Sequence, residues 1–187
     1  SFNTESLSPP VKMRSSLFLV VVLVCGLVSA QPRGLPERVQ KLETDNDVLV
    51  KSRVAFAAAL IDDSTNQWTT VEAGGTDKTL EFKKVITNIG NGYNPVTGYF
   101  TAPVKGLYYI QVTGIAGPNG QLNAGMKKNG ENIFAIYQKA GTQVGASNGV
   151  TLALEQGDRL CVQLWAGQTI ADQGRLSTFT GFLVFPM

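Results

Sequence analysis

The residues able to do chemistry are few, and what is missing decides as much as what is present. The chain has no histidine and only two cysteines, Cys25 and Cys161, among its 187 residues. Without histidine there is no Ser-His-Asp or Cys-His nucleophile and no His-ligated zinc. Two cysteines are also too few for a four-cysteine zinc site. Asp62-Asp63 is the one adjacent carboxylate pair, and a solvated loop explains it better than proton transfer. No Gly-x-Gly-x-x-Gly or phosphate-binding loop follows a strand-like run. The reading is a protein that is not an enzyme, with no cofactor and no metal site. Two residues are singled out for ligand contact. Trp68 could stack on a sugar if exposed, although a loop tryptophan more often serves as an anchor. Asp172 is a lone carboxylate in the 165–175 loop.

The elements that would position them begin after a leader. Met13-Arg14-Ser15-Ser16 opens a basic segment, 17–28 is an apolar run, and Val28-Ser29-Ala30 supplies small residues. This predicts a secretory signal peptide over 13–30, with 1–12 read as non-native upstream sequence. Twelve apolar residues fall short of the about 20 that span a bilayer. Secretion of a chain starting at Gln31 follows. Setting aside 1–30, which hold Glu5, Lys12 and Arg14, leaves 14 basic and 13 acidic residues. Such a balance gives no footprint for nucleic acid or an anionic membrane. Cys161 is then a single thiol.

Over 31–52 a polar tether leads into Leu35, Val39, Leu42, Asn46 and Leu49, spaced by alternating fours and threes. That is an a/d seam of about two heptads, a short coiled-coil neck or a solvated amphipathic turn or two. Two heptads are marginal alone and zip only when something else gathers the chains. From 53 to 187 the pattern is all-β. Strand-like runs cover 54–60, 82–89, 98–102, 106–116, 121–128, 132–138, 149–155, 159–165 and 178–185, with Asn129-Gly130 a hairpin turn between two of them. In 159–165, Leu160, Val162 and Leu164 share one face and Arg159, Cys161, Gln163 and Trp165 the other. Cys161 reads as a shielded thiol at a subunit contact or as an intermolecular disulfide.

Phe82, Asn88, Tyr93, Phe100, Gly106 and Tyr108 carry a fixed spacing over 27 residues, with 177–183 as a closing segment that holds Gly181 and Phe182. This pattern resembles the globular head domain of the complement C1q family, except that Ile110 and Val112 replace two family aromatics. The resemblance implies a ten-stranded jelly-roll β-sandwich related to the tumour necrosis factor fold. Phe82, Phe100, Tyr108 and Phe182 should face inward, while Gly106 and Gly181 leave no room for a side chain or need positive φ. It also implies a homotrimer, with Tyr109, Cys161 and Trp165 as a contiguous outer interface. Loops 62–75, 116–121, 140–147 and 166–174 would then meet an extracellular protein or glycan ligand. Multivalent, lectin-like recognition in innate immunity is the leading reading; a cerebellin-like, receptor-clustering signal and a matrix component are the others. The family's calcium stretch is not carried over, because 137–148 has no carboxylate.

Overall fold

The computed structural model describes residues 34–62, 67–141 and 144–187, so the expected upstream segment and leader lie outside the described residues. The chain divides after Asn46, and the second unit, Asp47–Met187, holds every strand. The heptad segment is one helix, α1 (Leu35–Lys51), with Glu37 in its first turn and Lys51 in its last, as the helix dipole favours. Leu35, Val39, Leu42 and Leu49 along its seam are all exposed.

Thirteen strands follow among the described residues. An antiparallel sheet of five runs in the order β10 (Ala146–Leu154), β7 (Gly106–Gly114), β13 (Thr178–Pro186), β1 (Ala55–Ala59) and β4 (Lys84–Ile89). The second sheet runs β5 (Tyr93–Asn94), β6 (Tyr99–Thr101), β11 (Arg159–Leu164), β8 (Leu122–Lys128) and β9 (Glu131–Gln138), with β3 (Lys78–Thr79) also on β11. β2 (Thr69–Glu72) and β12 (Thr169–Asp172) form a separate ladder, where the sequence pattern suggested loops. The two sheets make a jelly-roll-like sandwich. Phe56 of β1 stacks on Phe100 of β6 at 4.6 Å and on Tyr93 of β5 at 5.3 Å, so rings from both sheets meet in the core.

Strict alternation along β7 turns Tyr108, Ile110 and Val112 inward and Leu107, Tyr109, Gln111 and Thr113 outward. Ile110 and Val112 are fully buried, so branched aliphatics fill the places of the two missing aromatics. Gly106 and Gly181 have no room for a side chain: a Cβ would come within 2.5 Å of Leu183 Cδ1 at the first and 2.6 Å of Phe56 Cε1 at the second. Asn129 and Gly130 both take positive φ, as a two-residue hairpin needs.

Hydrogen bonds explain the spacing from 82 to 93. The Asn88 amide donates to Tyr93 O at 2.8 Å and accepts from Tyr93 N–H at 3.2 Å, bracing the intervening turn. The Tyr93 hydroxyl then donates to Phe82 O at 3.1 Å and accepts from Phe82 N–H at 3.0 Å. Burial pushes this phenol up to about 12, although the Phe82 hydrogen bond opposes the shift.

The inward expectation fails at Phe182. Phe179 and Gly181 take the inward parity of β13, so Phe182 faces out and is 43% exposed.

Candidate functional site

Register places chemically different surfaces at the two ends of the five-stranded sheet. Ile89, Ala55, Phe182, Tyr109 and Thr151 line up across all five strands on its outer face. Tyr109 and Phe182 touch there with ring centroids 5.5 Å apart, and Val184 and Phe185 are exposed beyond them. Two residues along each strand, the parallel row is Thr87, Ala57, Thr180, Gln111 and Gly149. Apart from Gln111, whose amide donates to Ser147 Oγ at 3.2 Å, this row has small side chains, and a Cβ at Gly149 would come within 2.7 Å of the Tyr109 hydroxyl.

At the opposite end, four chain segments converge on a polar groove of about 470 Å³. Glu72 and Gly74 come from the first, Asn119, Gly120 and Gln121 from the second, Ala140 from the third, and Gly167, Gln168 and Thr169 from the fourth. These are the four loop regions named above from the sequence. The β2–β12 ladder continues past its last pair to hold the rim, through Ala73 N–H to Gln168 O at 3.1 Å and Gly167 N–H to Gly74 O at 2.7 Å. Thr169 ties in the second segment. Its N–H donates to Gln121 O at 2.8 Å, and its hydroxyl accepts from Gly117 N–H at 3.2 Å. A side chain at Gly120 would overlap Thr169 Oγ1, so only glycine lets these segments close up. Within this frame Gln168 Oε1 is buried and has no hydrogen-bond partner.

Asp172 is not a ligand group. It is 2% exposed, and its two oxygens accept from Ile61 N–H at 3.1 Å and Ser177 N–H at 3.3 Å. Ser177 Oγ donates to Ala171 O at 2.6 Å and accepts from Ile115 N–H at 3.2 Å. The pair latches three segments behind the groove, a structural demand that an isolated carboxylate in a loop does not announce. Trp68 is 38% exposed but does not line the groove. Four extended residue steps, about 13 Å along the strand, lead from it to Glu72.

The three residues expected to share one interface are also parted. Tyr109 lies on the five-stranded sheet, whereas Cys161 and Trp165 lie on or beside β11 of the other. Cys161 is 5% exposed within a single chain, paired across the ladder with Lys127 and hydrogen-bonded to Tyr99, whose ring lies 3.9 Å beneath the Arg159 guanidinium. Burial pushes the thiol up, against the opposing pull of Tyr99, Lys127 and Arg159. This sulfur is shielded by its own chain, which removes the ground for an intermolecular disulfide. Among the described residues no three acidic or cysteine side chains gather as a metal site, and no helix is long and apolar enough to cross a membrane.

A C1q domain profile matches residues 55–184. The chain belongs to the C1q domain family. Complement C1q tumor necrosis factor-related protein 3 of Homo sapiens and that of Mus musculus are each 31% identical to it over 136 residues, 71% of this chain and 52% of theirs. The chain thus spans about half the length of the curated relatives it matches. In fold, this C1q domain is similar to the globular domain of zebrafish complement 1qA, with TM-score 0.57, 20% identity, and coverage of 72% of this chain and 100% of that one. It is also similar to Eiger TNF from S. frugiperda, with TM-score 0.56, 13% identity, and coverage of 73% and 95%. For murine APRIL the TM-score is 0.53 at 12% identity, with coverage of 70% and 98%.

Proposed function

We propose that this C1q-domain chain is a secreted, non-enzymatic recognition protein that works as a homotrimer without a cofactor. Its three heads hold microbial or cell-surface ligands together through their loop ends. The observation that carries this reading is the apolar row of Ile89, Phe182 and Tyr109 on an otherwise flat sheet face, opposite an open polar groove. An exposed apolar patch of this kind marks a contact surface, and a second and third copy of the chain supply matching ones. The exposed a/d seam of α1 adds a neck that zips once the heads gather. Weak contacts at one groove then become strong binding at three.

Light scattering at micromolar concentration tests the assembly: three times the chain mass is expected, and a monomer overturns it. Binding to intact bacteria tests recognition. A second reading, a ligand that clusters one receptor, draws on the 31% identity with C1q tumor necrosis factor-related protein 3. It predicts saturable binding to a single surface protein that survives glycan removal.

A further inference from the structure

We propose that the four-loop groove binds a neutral, polyhydroxylated ligand, a sugar unit of a polysaccharide or glycan, and does so without a metal ion. This inference rests on the recognition reading above and names the ligand chemistry at that site.

Size comes first. A volume of about 470 Å³ falls among clefts of about 300–1,000 Å³ that hold small ligands. Polarity narrows the class. Glu72 offers a carboxylate acceptor, and Asn119 and Gln121 each offer an acceptor and two donors. A sugar hydroxyl both donates and accepts, so it can satisfy all of these groups at once.

Other ligand classes fit less well. No lysine or arginine is among the described lining residues, and Glu72 repels an anion. A single carboxylate is a poor divalent-cation site, since calcium takes six to eight oxygens, several of them charged. Among the described lining residues, Ala140 is the only one with a wholly apolar side chain, which favours a polar ligand over a greasy one. The described lining residues also include none of the tryptophan, tyrosine or arginine anchors that dominate protein–protein contacts. With no aromatic ring among the described lining residues to stack on a sugar face, each head binds weakly and the protein depends on several heads engaging one polymer.

The test uses the full chain on immobilised mannan, dextran and heparin, with and without EDTA, alongside intact bacteria. Binding to mannan or dextran, unchanged by EDTA and absent on heparin at physiological salt, is expected. Glu72→Ala and Asn119→Ala each change an exposed residue, so oligomeric mass and melting temperature should hold. Glu72→Ala should weaken polymer binding about tenfold or more, as loss of a charge-assisted hydrogen bond does. Asn119→Ala should weaken it less, and Trp68→Ala should leave it unchanged. Full binding by the groove variants overturns the groove and leaves multivalent recognition standing. Capture of bacteria without either neutral polymer, or loss of binding in EDTA, overturns the neutral, metal-free ligand alone. Failure to bind polymers and bacteria alike overturns both readings.

Discussion

The two ends of the five-stranded sheet are built by the same alternation and present opposite surfaces. At one end outward positions hold Ile89, Phe182 and Tyr109; past the other, the loops present Glu72, Asn119, Gln121 and Gln168. Apolar surface left in water forgoes about 25 cal/mol per Å² that contact would recover. Polar groups have little to recover, because water already satisfies them. The first end therefore suits a lasting contact and the second a reversible one.

Phe182→Asp should break this division most completely. A carboxylate in the apolar row should convert trimer to monomer by light scattering. The far-ultraviolet circular dichroism should stay, since Phe182 is already 43% exposed in the single chain. A trimer that survives this change would place the contact elsewhere. Phe179→Ala, three residues earlier and of opposite parity, should act on the fold instead. Phe179 is fully buried against Phe56, Phe82 and Tyr93, and such truncations cost about 3–5 kcal/mol. Denaturant unfolding measures this, and a loss below about 1 kcal/mol would show that the core repacks.

Asp172→Ala probes the polar end from behind. Removing the carboxylate leaves Ile61 and Ser177 N–H without their acceptor, at a cost of about 1–3 kcal/mol. Polymer binding should fall with it, because the latch steadies β12, which carries Thr169 into the groove. Asp172→Asn, with one acceptor oxygen left, should fall between. Equal loss in both variants would mean that charge, not geometry, holds the loops.

Short-range order was readable before the structure and long-range order was not. The 82–93 spacing is legible because Asn88 and Tyr93 bond within a few residues of themselves, and the Asn129-Gly130 turn because positive φ is a local demand. Phe182 misleads because phenylalanines stand at both parities of β13, and only cross-strand register says which one points inward. β2 and β12 are four residues each, too short for periodicity, and each is a strand only because the other lies beside it about a hundred positions away. The groove could be named as four loops, but no local signal says that Glu72, Gln121 and Gln168 end up on one wall. Cys161 and Tyr109 share outward parity in the sequence and lie on different sheets, a separation that parity alone cannot report.

The smallest effect lies in a turn at the apolar end, where Asp158 is held down to about 2, against its usual 3.8. The Lys128 ammonium at 2.9 Å is the largest cause, followed by the Asn129 amide at 2.8 Å and Glu155 N–H at 2.9 Å. A depressed carboxylate contributes stability that is present above its unfolded value and lost as pH falls through its folded one. Acid should therefore loosen the 128–130 and 155–158 turns between about pH 4 and pH 2. Amide exchange of Asn129 and Glu155 should quicken over that range. Asp158→Asn should flatten the response and cost at most about 1 kcal/mol at neutral pH, since surface pairs are screened. An undiminished acid response in this variant would assign the transition to other carboxylates. A flattened one would assign the acid response of these two turns to Asp158.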